Sequence, residues 1–415
     1  MIYLLLFFLP GLVFLLNSFN KKGISEFIAY IIGFSLSFYI VLIWLIKPLN
    51  IPLTGLTYLI LIASILFLII NVRIASFEKV GFGKSEIIIL VAFIMLFALR
   101  LLPMFLQIAP PGSDISAPAY IARLIYDLDR LPNSTEVISH IPEHGVYSAG
   151  LPLVSSLVSL TSNLPVFRSI FIFSCLAYVF LTLGLYIFLL KFFDKEMAAV
   201  SAIAAGFFAV NTSPNTMLAL FFILISLSLI FDLNKSFSRD KLAFLLITLI
   251  AALLTQPLAL ISFSALLIPS AFAFALLIIS FNNIFVKTLP FFLVIGIFLY
   301  IFYLYVSVSM CSVTKADIDA FAWIDHTIGK NALFEVNYSD AGVWLPAIIG
   351  RNILIVEEKL SRNEKPLIRK RQASYIYIGS KAIGPSGIKK EALEKAPWKF
   401  RRIYSNDGAQ VWKVL

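Results

Sequence analysis

Residues 150–162, GLPLVSSLVSLTS, decide how the rest of this 415-residue chain is arranged. As a helix these thirteen residues reach only about 20 Å, short of the roughly 30 Å hydrocarbon core of a bilayer. The segment opens with Gly150 and Pro152 and carries four Ser and one Thr. It reads as a helix that dips into a membrane interface and returns. If it crossed instead, every later loop would change sides.

Long apolar runs flank it. Candidate spans lie at about 1–19, 24–46, 53–71, 85–108, 166–190, 197–212, 214–231, 242–255, 258–280 and 288–308. The first has no basic leader and no small-residue cleavage site before Lys21, so it reads as a retained helix. Residues 242–280 form one apolar stretch too long for a single crossing. Thr255-Gln256-Pro257 is the place where it folds into a pair. The composition agrees: 60% of residues are hydrophobic, 13% are charged, and mean hydropathy is +0.94. Soluble domains average about 25% charged, so a soluble enzyme, a disordered chain and a nucleic-acid-binding module are excluded. The net charge of +10 fits the basic bias of cytoplasmic loops. Cys175 and Cys311, the two cysteines, are too few for a disulfide framework or a cysteine zinc site.

That bias tests the dipping helix. With 150–162 non-crossing and loop 109–149 outside, the inside loops hold 11 Lys/Arg, and Lys47 alone lies in the short outside turns. Loop 109–149 has Arg123 and Arg130 against five carboxylates. Letting 150–162 cross collapses the bias after residue 165. The expectation is a polytopic α-helical membrane protein of the cell membrane. Its transmembrane domain, 1–311, has ten spans, and a C-terminal extracytoplasmic α/β domain follows at 312–415. Residues 1–308 hold 16 Lys/Arg and 12 Asp/Glu, whereas 312–415 hold 17 and 11 in a third of the length. Within that tail, a helix is expected at 315–328 and strands at 332–336, 352–356, 374–378, 400–404 and 409–414.

The loop is the long polar interruption of the apolar part, and such loops are usually functional or disordered. Ala117, Ile121, Leu124, Ile125 and Leu128 recur at helical spacing, with Arg123, Asp127 and Arg130 opposite, which predicts an amphipathic helix on the membrane surface. Asp114 follows Pro110, Pro111 and Gly112 at the end of the fourth span. It reads either as a solvated loop carboxylate or as one able to take a proton or hold a metal. Asp127-x-Asp129 has the form of a metal-binding DxD, but residues two apart on a helix face different ways, so a solvated face is the simpler reading. His140 and His144 flank Pro142, which argues against a regular helix. No third zinc ligand is evident, and a polar cluster facing a headgroup or diphosphate fits better. Glu143 adjoins His144 and rivals Asp114. His326 reads as a surface residue of the tail. Walker, GxSxG and HExxH patterns are absent, and the later spans carry almost no internal charge, which disfavours an ion-coupled transporter.

The order of parts resembles the membrane glycosyltransferases of the GT-C superfamily, which use lipid-phosphate-linked sugars. Three stretches carry the resemblance. Arg100–Pro103 (RLLP) ends a span and leads to Gly112-Ser113-Asp114 and a surface helix. HIPEHGVYSAGLPLVSSLVS resembles the YPPG-type juxtamembrane segment. AFAWIDHTIGKNALFEVNYSDAGVWLPAIIGR, with Gly342, Trp344 and Arg351, resembles the start of the extracytoplasmic domain. Two departures stand out. Ala117 and Pro118 occupy positions where many members have His. Tyr338-Ser339-Asp340-Ala341-Gly342 replaces the WWDYG of protein N-glycosylating members, which points to a lipid, glycan or polymer acceptor. The resemblance implies a polyprenyl-phosphate sugar donor and Asp114 as catalytic base, with Glu143 as the alternative. Arg100, Tyr120, Arg123, His140 and His144 become candidates for substrate binding. A divalent metal is compatible with the pattern but not indicated. The different-class alternatives are a lipid or glycan transporter and a non-catalytic protein of this shape.

Overall fold

A computed structural model describes residues 8–15, 22–71, 80–81, 84–102, 105, 107–109, 115–133, 149–208, 213–256, 313–337, 340–356, 373–380 and 388–415. Residues 8–15 are helical. Two-residue strands β1 (Lys22–Gly23) and β2 (Val80–Gly81) pair in parallel. The apolar part continues with α1 (Ile24–Ile46), α2 (Leu53–Asn71), α3 (Lys84–Leu101), α4 (Ser116–Leu128), α5 (Gly150–Ser162), α6 (Val166–Leu189), α7 (Lys195–Phe208), α8 (Pro214–Lys235) and α9 (Arg239–Thr255). Prolines punctuate them. Pro48 follows α1, Pro165 precedes α6, and Pro214 opens α8 behind a Ser213 cap that accepts the Thr216 N–H at 3.3 Å.

Four helical stretches among the described residues are long and apolar enough to cross a membrane: Ile24–Leu49, Leu53–Ile70, Val166–Leu189 and Pro214–Lys235. The chain therefore has the helices of a membrane protein. Three other expected spans differ from their expected bounds. The one placed at 85–108 ends at Leu101, because Pro103 disfavours helix in the residue before it. Of the one at 197–212, α7 covers residues up to Phe208, and 209–212 lie outside the described residues; the one at 242–255 is the 17-residue α9, which begins three residues earlier. The expected spans at 258–280 and 288–308, and most of 1–19, lie outside the described residues.

Contacts sort the helix ends into two faces. At one end Lys191 Nζ, just past α6, lies 2.8 Å from Asp232 of α8 and 3.5 Å from Glu26 of α1. At the other, the start of α2 meets Asp129, just past α4, where Leu53 N–H donates to the Asp129 carbonyl at 2.8 Å. On that second face the Ala149 N–H, before α5, donates to Leu254 near the end of α9. α6 therefore starts on the α4 face and ends on the other, as it must if α5 does not cross. α5 does not lie at an open interface either. It is buried against α4, α6 and the end of α9. Its hydroxyls bond within the helix, Ser155 to the Leu151 carbonyl at 2.8 Å and Ser156 to Pro152 at 2.7 Å, so serine can enter a packed core without an unmet donor. Gly150 is required there, because a Cβ would strike the Thr255 side chain.

The tail forms a five-stranded sheet in the order β4-β3-β5-β7-β6. Its strands are β3 (Leu333–Asn337), β4 (Asn352–Val356), β5 (Tyr375–Ile378), β6 (Phe400–Ser405) and β7 (Gln410–Val414). β3 runs parallel to β4 and β5, and β7 antiparallel to β5 and β6. Helix α10 (Lys315–Thr327) precedes β3, α11 (Leu345–Ile349) links β3 to β4, and α12 (Lys390–Glu394) precedes β6. Arg351 enters β4 almost wholly buried. Its Nη2 donates to the carbonyls of Ile324 at 3.4 Å, Asp325 at 3.1 Å and Ile328 at 2.9 Å, closing the carbonyl end of α10, where a cation is favoured. α11 packs on α4 and touches α6, so the tail sits on the α4 face.

Two buried carboxylates meet at the end of β5, one from α10 and one from the turn after β3. Asp317, in the capping box with Thr314, accepts from Tyr377 Oη at 2.7 Å and from the Ser380 N–H at 3.0 Å. Asp340 accepts from the N–H of Gly379 at 2.7 Å and of Ala341 at 2.6 Å. Gly379 is bare because a Cβ would meet both acids. Burial, reinforced by the charge of Asp317 and opposed by the amide donors, raises the Asp340 carboxyl from 3.8 to about 7. A carboxyl raised on folding stabilises the fold fully below its unfolded value and loses that contribution as pH climbs to the folded one. The tail should therefore be more stable at pH 5 than at pH 8, by on the order of a few kcal/mol, and so melt higher there, and Asp340→Asn should flatten the difference. Melting followed by tryptophan fluorescence reads this, since Trp323, Trp344, Trp398 and Trp412 all lie in the tail; equal slopes for wild type and variant would contradict it.

Candidate functional site

α4 sits between the bundle and the tail. The expected surface helix exists, but it is not merely laid on a surface. α5 covers one side of it and α11 another, and Ala119, Tyr120, Ile121, Ala122 and Ile125 are buried. Small residues at 119 and 122 let neighbours approach closely. The Ser156 hydroxyl reaches the Ala122 carbonyl at 2.8 Å, a direct tie between α5 and α4. Asp129 ends α4 in the left-handed conformation, φ 49°. Its carboxylate accepts from the Thr54 N–H and hydroxyl, both at 2.9 Å, and so caps α2.

Beneath this layer is an apolar cavity of about 450 Å³. Phe93, Phe97, Leu101 and Phe105 line one wall at four-residue spacing, and Phe173, Leu176, Phe180 and Leu183 of α6 line another. Ile28 and Ile32 of α1 and Val158 of α5 close it further. Ser25 is its polar lining residue among those described, and the Ser25 hydroxyl has no hydrogen-bond partner there. From Leu90 to Leu101 the α3 wall runs roughly 17 Å. Ile94 and Phe105 keep 57% and 83% of their surface exposed, so among the described residues nothing seals the cavity along α3. A space this apolar, open to the side, suits a hydrocarbon chain rather than a polar metabolite.

The expected site residues divide into those the structure describes and those it does not. Asp114, Glu143, His140 and His144 lie outside the described residues; α4 begins two residues after Asp114. Arg100 falls in the last turn of α3. Tyr120 is buried between α4 and its neighbours, and desolvation holds its hydroxyl well above the usual tyrosine range. Arg123 is on the outer side of α4, 2.7 Å from Asp127 and over the Tyr126 ring at 5.8 Å. The DxD pair thus serves local structure, Asp127 as the partner of Arg123 and Asp129 as the cap of α2. Among the described residues no three His, Cys, Asp or Glu come together to hold a metal. The cavity walls were not singled out in the sequence. Their spacing of three and four is also that of any buried helix face, and no signal in one chain separates the two.

No family model matches the chain, nor does any curated protein or solved structure. The capping role of Asp129 makes a discriminating forecast. Asp129→Asn keeps an acceptor and tolerates the left-handed backbone, so stability should hardly change. Asp129→Ala loses the cap and should cost about 1–2 kcal/mol. Thermal melting of the two variants measures this, and a metal-dependent loss in the Asn variant would restore the DxD reading.

Proposed function

We propose that this chain is a membrane glycosyltransferase that moves a sugar from a polyprenyl-phosphate donor to an acceptor at the α4 face. The observation that carries the reading is the apolar cavity. It runs along α3 toward Phe105, and the polar loop with Asp114 follows within ten residues. A polyprenyl chain is too apolar to leave the bilayer, so its phosphate and reactive carbon must be met at the interface. A cavity for the chain and a carboxylate at the helix end are what that chemistry needs. We further propose ten spans in the cell membrane, with the α4 face and the tail extracytoplasmic. The basic bias of the opposite loops supports this orientation. So does parity, since α9 ends on the same face as the tail, as an even number of crossings between them requires.

In this reading Asp114 takes the proton of an acceptor hydroxyl as its oxygen bonds to the anomeric carbon. The bond from that carbon to the phosphate oxygen breaks, and the lipid phosphate leaves with the electron pair. Arg100, His140 and His144 are placed by sequence near the same interface to meet its charge. Tyr120 and Arg123 act at most through the shape of α4, since one is buried and the other already paired with Asp127. Glu143 is the alternative base.

Purified protein incubated with radiolabelled polyprenyl-phosphate sugars tests the proposal. Label should pass to an acceptor, and Asp114→Asn should lower the rate roughly 10²–10⁴-fold while the melting temperature holds. Movement of donor across vesicles without transfer would make the chain a transporter. Normal turnover in the Asn variant with a dead Glu143→Gln would shift the base to Glu143.

A further inference from the structure

Among the described residues, the outer edge of the tail sheet holds more positive charge than the acids beside it balance. β6 is the edge strand, and Arg401 on it is the direct cross-strand partner of Lys413 on β7. Like charges directly opposite in an antiparallel pair are destabilising, yet both side chains are exposed there. Lys395, Lys399 and Arg402 are exposed on the same stretch, as are Lys389 and Lys390 beside it. The acids between 388 and 404 are Glu391 and Glu394. Glu394 is already shared, 3.7 Å from Arg402 and 3.8 Å from Lys390. Amid these cations Trp398 keeps 74% of its surface exposed.

Cations on an edge strand also deter edge-to-edge pairing. That role explains neither Lys413, which is on the inner neighbour, nor a bare indole. Basic residues with an exposed tryptophan are instead the chemistry of a membrane–water interface, where the ring sits at headgroup level and Lys and Arg meet anionic lipid. The tail packs on the apolar helices through α11, so a lipid-binding edge on it would act at high effective concentration next to the bilayer those helices cross. We propose that Trp398, with Lys399, Arg401 and Lys413, forms a docking surface for anionic lipid headgroups. This rests on the chain being a membrane protein and is independent of sugar transfer.

Full-length protein in nanodiscs tests it, using lipids with nitroxide-labelled headgroups. The Trp398 signal is the difference in fluorescence between wild type and Trp398→Phe. That signal should be quenched several-fold more strongly in phosphatidylglycerol than in phosphatidylcholine discs, and high salt should remove the excess. Lys399→Glu with Arg401→Glu should abolish it, since each basic residue near an anionic surface changes partitioning roughly fivefold. An unaltered melting curve shows that this variant is folded; if it does not fold, Trp398→Phe and the salt series decide alone. Equal quenching in both lipids, or a Trp398 open to aqueous iodide in both, overturns the proposal. Unchanged lipid quenching with lost binding of soluble polyglutamate would also overturn it, in favour of an acidic polymer.

Discussion

The hydrogen bond from Ser156 to the Ala122 carbonyl, and the burial of α5 under α4 around it, is the contact on which the arrangement depends. α5 is too short to cross a bilayer and too polar to face lipid with its hydroxyls unmet. Turning each hydroxyl onto its own backbone, and its outer side onto α4, solves both problems. Because α5 stays on one face, α6 must begin there, and Lys191 arrives at the opposite end beside Glu26 and Asp232. That cluster is nearly buried, so its partners need one another: separating the charges would leave a desolvated ion unpaired. The two ends of the bundle are thus fixed by different physics, packed hydroxyls on one and an ion cluster on the other.

α4 then joins three parts. Its C-terminal Asp129 starts α2, its inner side rests on α5, and its outer side receives α11 of the tail. The largest apolar core runs from bundle to sheet without a break, taking in both Ile125 and Trp344. The tail is therefore seated on the loop rather than merely tethered. Arg351 serves that seat indirectly. By closing the end of α10 it fixes the turn that carries α11.

Much of the fold was legible because the chain states it in periodicity and punctuation. α1 and α2 match their expected bounds, 24–46 and 53–71, and the tail strands fall within about a residue of theirs. Apolar runs between prolines leave little choice of boundary. What was not legible depends on which surfaces meet. The amphipathic pattern of α4 says that one side is buried, but not that a second helix covers another. Asp129 looked like half of a DxD because its role depends on Thr54, 75 residues away. The cavity beside α3 uses the same residues as a packed face, and only the spacing of the walls distinguishes them. The residues most favoured for chemistry, Asp114 and Glu143, rest on sequence position.

With α5 on one face, the segment just past α4 and the turn between α8 and α9 lie on opposite sides; if α5 crossed, they would share one. Single cysteines at Asn133, exposed after α4, and at Phe237, 73% exposed in that turn, test this directly once Cys175 and Cys311 are replaced by Ser. In intact cells an impermeant maleimide should label position 133, and position 237 only after permeabilisation. Labelling of both positions in intact cells, or of neither, would contradict the fold, and labelling of 237 alone would reverse its orientation.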